Sequence, residues 1–234
     1  IAYNMSISDV VFTTTTRLAD RIRPINKNVY VIPNGLPFGR DQFHERKQES
    51  DQFRVLYAGG SSHLWDLRSI KYYFTKVGAD CSLKHCQFIL AGYNNGGVWD
   101  NIEKVFTSNG KIQNYIRRES LELDEYMQHY EHADVTLAPL EDYLFNYFKS
   151  NLKIIEAGCK NIPIITSEIP PYSDEEKTNG LITCRNTKDW YNITKKLAKN
   201  PIQTHEAGIE LGLYVRRKYD LLKINELRKQ IIEH

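Results

Sequence analysis

Short apolar runs rich in β-branched residues alternate with helical stretches along most of the chain, and this alternation restricts the possible folds more than any other feature. Eight such runs predict strands, over Asp9–Thr13, Val29–Ile32, Phe53–Ala58, Gln87–Ala91, Asn114–Ile116, Asp134–Ala138, Ile162–Thr166 and Leu181–Cys184. Helices are predicted between them, over Arg17–Arg23, Leu64–Val77, Val98–Phe106, Leu123–His132, Phe148–Gly158 and Thr187–Lys199, followed by a helical tail from His205. Strands that alternate with helices predict an α/β fold with a mainly parallel sheet and right-handed crossovers.

The composition is that of an ordinary globular protein, with 41 % hydrophobic and 26 % charged residues among 234. A chain of this length buries roughly 70 % of its unfolded surface. The net charge of +2 provides no strong basic field, which argues against a nucleic-acid partner. No apolar run approaches about 18 residues, so the sequence predicts no transmembrane helix and at most peripheral membrane contact.

The four cysteines lack the spacing of a zinc site and are too few for a disulfide scaffold in a chain this long. They are Cys81, Cys86, Cys159 and Cys184. We expect free thiols in a reducing compartment, and therefore a cytoplasmic protein. No secretory signal opens the chain. It begins at Ile1 rather than Met, which suggests a processed chain or a piece of a longer protein.

In open α/β sheets, ligands bind where strands end and helices begin. The first candidate segment therefore follows the strand Phe53–Ala58 and comprises Gly59, Gly60, Ser61, Ser62 and His63. Glycines allow a ligand to approach the backbone, and the start of the next helix attracts anions. A plain tight turn capped by Ser62 is the alternative. The segment matches neither a dinucleotide fingerprint nor a P-loop.

The second candidate segment runs from Asn146 to Glu156. A helix there places Lys149, Lys153, Glu156 and Lys160 on one stripe. Lys149 at the helix start opposes the dipole, and Lys149 and Lys153 repel each other, so a bound anion would offset both costs. A solvated charged face is the alternative.

Two further segments follow strands. The glycines of 92–97 allow a cleft lining or a flexible loop, and Arg117 and Arg118 allow a contact to a phosphate or base, or a surface ion pair. Histidine, cysteine and carboxylate spacings match no metal motif, so we predict no metal and no cofactor.

Three segments together resemble a known family. They are Ser8–Ala19 followed by Val29–Gly35, then Gly59–His63 with Asp66 and Leu67, and finally Asn146–Gly158 followed by Ile162–Ile165. The chain resembles the donor-binding half of GT-B glycosyltransferases, in the large retaining group that includes glycosyltransferase family four. The third segment is the most specific of the three.

The resemblance implies a Rossmann-like doubly wound parallel sheet that binds a nucleoside-diphosphate sugar without a metal. It implies that Glu156 binds the ribose hydroxyls, that Lys149 and Ser150 hold the diphosphate, and that the glycine loop faces the phosphates. Lys149 and His63 are the expected catalytic residues. The expected donor-binding residues are Gly59, Gly60, Ser61, Ser62, Arg118, Lys149, Ser150, Lys153 and Glu156.

This sequence departs from the family at two places. Phe148 stands where many members carry a glutamate near the sugar, and Arg68 is the nearest cation after the glycine loop, where many members carry an arginine–lysine pair.

The resemblance divides the chain into four parts. Residues 1–35 would be the last strand–helix–strand of an acceptor domain, 36–52 a linker or loop, 53–204 the nucleotide-sugar-binding domain, and 205–234 C-terminal amphipathic helices. The predicted function is sugar transfer to an unknown glycan or lipid-linked acceptor, in polysaccharide or glycan biosynthesis. A sugar-nucleotide epimerase of the same architecture and a non-catalytic α/β nucleotide-binding domain are the alternatives.

Overall fold

The computed structural model describes residues 1–46, 52–92 and 97–233. Its strands are β1 (Val11–Thr13), β2 (Val29–Val31), β3 (Arg54–Ala58), β4 (Gln87–Ala91), β5 (Tyr115–Arg118), β6 (Val135–Ala138), β7 (Ile164–Ser167) and β8 (Leu181–Cys184). Its α-helices are α1 (Ala2–Ile7), α2 (Thr16–Ile22), α3 (Leu64–Ser69), α4 (Lys71–Ala79), α5 (Trp99–Phe106), α6 (Leu152–Cys159), α7 (Thr187–Lys199), α8 (Pro201–Lys218) and α9 (Leu221–Glu233). Short 3₁₀ helices cover Ser61–His63, Cys81–Leu83, Tyr126–His132 and Leu144–Phe148.

Six strands form one parallel sheet in the order β5-β4-β3-β6-β7-β8. Within this sheet the chain first forms the central strand β3. It then moves outward through β4 and β5, and returns to the other side of β3 to form β6. The strand order therefore reverses between β3 and β6, and this reversal creates a crevice at the carboxyl ends of these two strands. The predicted α/β, doubly wound parallel sheet is confirmed.

Helices cover both faces of the sheet, so its central strands are buried on both sides. One core contains Phe74, Phe106 and Trp190, from α4, α5 and α7. The other lies beneath α6, α8 and the 3₁₀ helix Tyr126–His132. Every residue of β3, β6 and β7 is buried, which explains why these segments read as continuous apolar runs with few interruptions.

The first 31 residues form a separate small unit. Strands β1 and β2 pair in parallel around α2, with Ala19, Ile22 and Val29 as its core. The hydroxyl of Thr15 caps α2 by accepting from the N–H of Leu18. This unit has the strand–helix–strand order expected of residues 1–35, and its assignment to an acceptor domain stays a prediction.

The described part of the predicted linker or loop, residues 36–46, lies outside the helices and strands. Leu36, Phe38 and Phe43 pack against the second core, and Leu36 forms a bridge with Asp220. Residues 47–51 of the predicted linker lie outside the described residues. At the other end, the predicted boundary between residues 204 and 205 falls inside α8.

Three helix predictions need correction. The helix predicted over Leu64–Val77 is two helices that meet at Ile70. The one predicted over Leu123–His132 is the 3₁₀ helix Tyr126–His132. The helix expected from Phe148 begins only at Leu152, because the backbone at Lys149 is extended.

All four cysteines are free thiols, and Cys81 alone is exposed.

Candidate functional site

The crevice between β3 and β6 is bordered by two glycines that tolerate no side chain. A Cβ on Gly59 would lie 2.7 Å from the hydroxyl of the buried Tyr57, and a Cβ on Gly92 would lie 2.1 Å from the carbonyl oxygen of Gly59. Gly92 also has a φ of +137°, which disfavours other residues. The backbones after β3 and β4 therefore pack directly against each other at this edge.

The first polar cluster of the site surrounds Asp66, and we call it the Asp66 cluster. The carboxylate oxygen Oδ2 of Asp66 lies 2.7 Å from Nδ1 of His63 and 3.6 Å from Nζ of Lys149. Its oxygen Oδ1 accepts from the N–H of Glu141 at 2.8 Å and from Nδ2 of Asn146 at 3.0 Å. The two residues predicted to be catalytic, His63 and Lys149, are thus brought together by a carboxylate that the predicted site did not include.

Asp66 is charged despite its burial. Desolvation alone would raise the pKa of this carboxyl, but the hydrogen bonds from His63 and from the N–H of Glu141 outweigh it, and the pKa lies below its ordinary value. An ionised carboxylate only accepts hydrogen bonds, so Nδ1 of His63 carries the proton in this contact. The side chains of His63 and Lys149 are 31 % and 28 % exposed, whereas Asp66 is 7 % exposed.

The second polar cluster surrounds the buried Glu156, and we call it the Glu156 cluster. Oε2 of Glu156 accepts from the Tyr130 hydroxyl at 2.6 Å and from Nζ of Lys153 at 2.9 Å. The ammonium of Lys153 also donates to the hydroxyl of Tyr126 and lies over its ring, 5.1 Å from the centroid. Two tyrosines and one lysine therefore fix the carboxylate predicted to bind ribose.

Burial and neighbouring groups shift the pKa values of Lys153 and Tyr130 beside Glu156. Burial would lower the pKa of Lys153, but Glu156 and the Tyr126 hydroxyl outweigh it and raise the pKa above its ordinary value. Burial and the adjacent Glu156 raise the pKa of Tyr130. The pKa of the buried Tyr57 is raised mainly by burial, and Lys153 and Asp66 act on it electrostatically from the two clusters. Tyr57 thus lies near both, beneath Gly59.

The predicted helical stripe of Lys149, Lys153, Glu156 and Lys160 is wrong in one respect. Lys149 precedes α6 and therefore does not share a helical face with Lys153. Glu156 and Lys160 are 6 % and 1 % exposed, so the alternative of a solvated charged face does not hold for them. Lys160 instead donates to Glu131, away from both clusters.

The remaining predicted residues occupy different places. Ser61 and Ser62 lie in the 3₁₀ turn between Gly60 and α3, and Ser150 accepts from Nδ2 of Asn34 at 2.9 Å. Arg118 ends β5, where its buried Nε has no partner among the described residues. Burial, followed by the charge of Arg118, lowers the pKa of His129 to about 4.

Arg117 does not join the site in the structure, whereas Gly92, the first residue of the glycine segment of 92–97, borders the crevice. Arg117 forms ion pairs with Glu103 at 3.6 Å and Glu119 at 3.2 Å, as in the surface alternative. Residues 93–96 lie outside the described residues.

The sequence contained signals for the three residues that the prediction missed. Asp66 follows His63 by three positions, the spacing at which side chains meet on a helical turn. Tyr126 and Tyr130 are four positions apart and present their hydroxyls to the same pair, Lys153 and Glu156. Their partners, however, lie more than 20 residues away, so only the fold reveals the contacts.

Within the described ranges, no group of three or more histidine, cysteine or carboxylate side chains is arranged to hold a metal ion. None of the helices described has both the length and the apolarity needed to cross a bilayer.

Comparison with known proteins gives matches of structure alone. No protein-family model matches the sequence, and no curated protein matches it. A variant of TarM from S. aureus, in complex with fondaparinux, alpha-GlcNAc-glycerol and UDP, matches with a TM-score of 0.71 and 18 % identity over 100 % of this chain and 46 % of that chain. HepE from Anabaena, in complex with UDP and glucose, matches with a TM-score of 0.71 and 13 % identity over 99 % of this chain and 67 % of that chain.

Sucrose-phosphate synthase from Thermosynechococcus elongatus matches with a TM-score of 0.73 and 15 % identity over 99 % of this chain and 59 % of that chain. The present chain therefore spans about half to two thirds of the length of these solved structures. Its fold is that of one half of a GT-B glycosyltransferase, as the resemblance implied.

Proposed function

We propose that this chain is the donor-binding half of a glycosyltransferase and holds a nucleoside-diphosphate sugar in the crevice between β3 and β6. The observation that carries the proposal is the Asp66 cluster beside the glycine turn. The side chains of His63 and Lys149 stay partly exposed at the edge of the sheet where open α/β folds bind ligands. The solved neighbours TarM and HepE were crystallised with UDP, which supports the same ligand class here.

The proposed roles follow from the geometry of each side chain. Lys149 contacts the diphosphate, because its ammonium lies 3.6 Å from Asp66 and keeps donors for a second anion. Glu156 accepts from the ribose hydroxyls through Oε1, since the hydrogen bonds that the described residues make to it reach Oε2. Gly59 and Gly60 allow the phosphates to approach the backbone, with Ser61, Ser62 and Ser150 around them.

The chemical contribution of this half is to stabilise the negative charge that develops on the departing nucleoside diphosphate. Preorganised cations supply this stabilisation in a site that excludes water. Lys153 is largely committed to Glu156, so it contributes charge and positions the carboxylate. The proposal covers a metal-independent transfer in the cytoplasm to a glycan or lipid-linked acceptor. The free thiols of the chain fit a reducing compartment.

The test is a thermal-shift panel with UDP, GDP and ADP, each paired with its nucleoside. One diphosphate is expected to raise the Tm clearly more than its nucleoside does, since a ligand that binds only the folded state stabilises it. Equal midpoints with and without all three diphosphates would exclude the proposed site. A non-catalytic binding domain predicts the same stabilisation, so transfer itself is measured on a protein that includes an acceptor domain.

A sugar-nucleotide epimerase is the second candidate, favoured by the hydrogen bond between His63 and Asp66. A carboxylate that orients a histidine is a common arrangement for proton transfer. An epimerase converts the sugar without any acceptor, so incubation of the protein with UDP-sugars and NMR of the products separates the two candidates. A changed sugar configuration identifies the epimerase, and an unchanged sugar favours transfer.

A further inference from the structure

We propose that Asp66 is a positioning residue that aims His63 and Lys149 together at the diphosphate of the bound donor. The inference rests on the proposed function and deepens it, because it assigns the orientation of two ligand contacts to a third residue. It predicts a fixed tautomer of His63 and an energetic coupling between His63 and Asp66.

Hydrogen bonds and an ion pair hold both oxygens of the Asp66 carboxylate. Two nitrogen groups approach the same oxygen, Oδ2, with Nδ1 of His63 at 2.7 Å and Nζ of Lys149 at 3.6 Å. The other oxygen, Oδ1, is held by Glu141 and Asn146, at 2.8 and 3.0 Å. Asp66 therefore cannot rotate without losing contacts to two chain segments, and the directions of its partners are fixed with it.

The second step concerns His63. With Asp66 ionised, Nδ1 must be the protonated nitrogen, and Nε2 is the nitrogen left to meet a ligand. When Nε2 carries a proton as well, it can donate to an anion. His63 ends the turn that starts at Gly60, so this donor stands beside the glycine loop.

The third step concerns Lys149. Its 3.6 Å separation from Oδ2 is an ion pair without a short hydrogen bond, so the ammonium keeps its donors for another acceptor. The ring of Phe145 lies 5.8 Å from Nζ and limits where the ammonium can move. Asp66 also compensates the positive charge of Lys149 in the free protein.

The arrangement explains why a carboxylate stands in an anion-binding site. Alone, Asp66 would repel a diphosphate. Its charge is instead compensated by its four partners, and it orients the donors of His63 and Lys149. A ligand would therefore contact these donors, while the carboxylate behind them is only 7 % exposed.

The first measurement reads the tautomer in the unchanged protein. Long-range ¹H–¹⁵N NMR of histidine-labelled protein identifies which ring nitrogen of His63 is protonated, and the His63→Gln variant assigns the His63 signals. The expected neutral form carries its hydrogen on Nδ1. A neutral form with its hydrogen on Nε2 would overturn the proposal.

The second measurement is a double-mutant cycle with calorimetry of UDP and uridine. Asp66→Asn is expected to weaken the binding of UDP by roughly tenfold, as for a lost charge-assisted contact. It is expected to weaken the binding of uridine by less than about twofold. In the His63→Gln background, Asp66→Asn is expected to weaken the binding of UDP by only roughly threefold, because the contact between Asp66 and His63 is already lost. Asp142→Asn, which changes an exposed carboxylate directly after Glu141, is the control that leaves UDP affinity unchanged.

The outcomes separate the inference from the proposed function. If the unchanged protein binds none of UDP, GDP and ADP, the proposed function fails and the positioning role fails with it. If it binds UDP and Asp66→Asn binds equally well, only the positioning role is overturned. Equal losses for UDP and uridine, or full additivity with His63→Gln, mean that Asp66 acts through the fold as a whole, and they also overturn it.

Discussion

The carboxylate of Glu156 accepts a hydrogen bond from the ammonium of Lys153 at 2.9 Å, three residues earlier on α6. The hydroxyl of Tyr130 donates to the same oxygen at 2.6 Å. The residue assigned to the ribose is therefore held in place before any ligand arrives, and such preorganisation reduces the entropy that binding must overcome. The same burial makes Glu156 a structural residue as well.

Glu156→Gln is therefore expected to lower stability, whereas an exposed residue would leave it unchanged. The amide keeps one acceptor oxygen but removes the charge that compensates Lys153, and a charged hydrogen bond contributes about 1.5–3 kcal/mol. Urea unfolding at pH 7 measures the loss, with the exposed Glu226→Gln on α9 as control. Identical unfolding curves for the Glu156 variant and the unchanged protein would contradict the pairing.

Lys149→Ala is expected to weaken the binding of a nucleoside diphosphate more than the binding of its nucleoside. It is also expected to lower stability by about 1 kcal/mol, because Asp66 loses a compensating charge. A lysine at a helix start would have given the opposite sign, a slight stabilisation on removal. Calorimetry and thermal unfolding measure the two effects, and Lys71→Ala at an exposed position of α4 is the control. An unchanged diphosphate affinity would remove Lys149 from the site.

Gly59→Ala is expected to destabilise the fold by about 1–3 kcal/mol, because its Cβ would meet the hydroxyl of Tyr57 at 2.7 Å. Tyr57 is buried, so its ring has little free space around it. Gly60→Ala is the matched control for stability, since its nearest neighbour would be Oγ of Ser62 at 4.0 Å. The Tyr57→Phe background removes the clashing atom, so the penalty should shrink there. A penalty of the same size in both backgrounds would show that the contact is not its cause.

His129 is expected to make stability depend on pH. Burial, followed by the charge of Arg118, lowers its folded pKa to about 4, against about 6.5 in the unfolded chain. The unfolded state binds more protons between these values, so stability falls as the pH falls from about 6.5 to about 4. The loss between pH 7 and pH 5 is about 2 kcal/mol from this group.

His129→Phe tests that dependence. Both ring nitrogens of His129 are buried without a partner among the described residues, so an apolar ring of similar shape should raise stability at pH 7. Unfolding free energies at pH 7 and pH 5 should also differ less in this variant than in the unchanged protein. The exposed His205→Gln serves as control. A pH dependence that persists in full in His129→Phe assigns the titration to another group.

Local patterns were sufficient to predict much of the fold. Strands β4 and β8 and helix α7 have the predicted bounds, because apolar runs end at turn residues and Asn186 caps α7 through the N–H groups of Lys188 and Asp189. The parallel sheet then followed from the alternation of strands and helices. Where a helix period was extended too far, as at Lys149, a tertiary contact between Asn146 and Asp66 holds the preceding segment instead.

The site was predictable in its location and less so in its chemistry. The glycine turn and the segment from Lys149 to Glu156 both lie at the predicted edge of the sheet. The sequence could not show that Glu156 is buried or that Asp66 joins His63 to Lys149, because both depend on contacts between distant segments. Spacing along a helix predicts which residues share a face, and the packing of other elements decides whether that face meets solvent.

The central claim is that a nucleoside diphosphate binds at the carboxyl edge between β3 and β6. Its most direct test is a titration of ¹⁵N-labelled protein with UDP, GDP or ADP, followed through the backbone amide resonances. We predict saturable shifts in Gly59, Gly60, Ser150 and the first turn of α6, while the amides at the opposite edge of the sheet, such as Gln87 and Asn114, stay unchanged. Shifts confined to that opposite edge, or no saturable shift with any of the three diphosphates, would contradict the account.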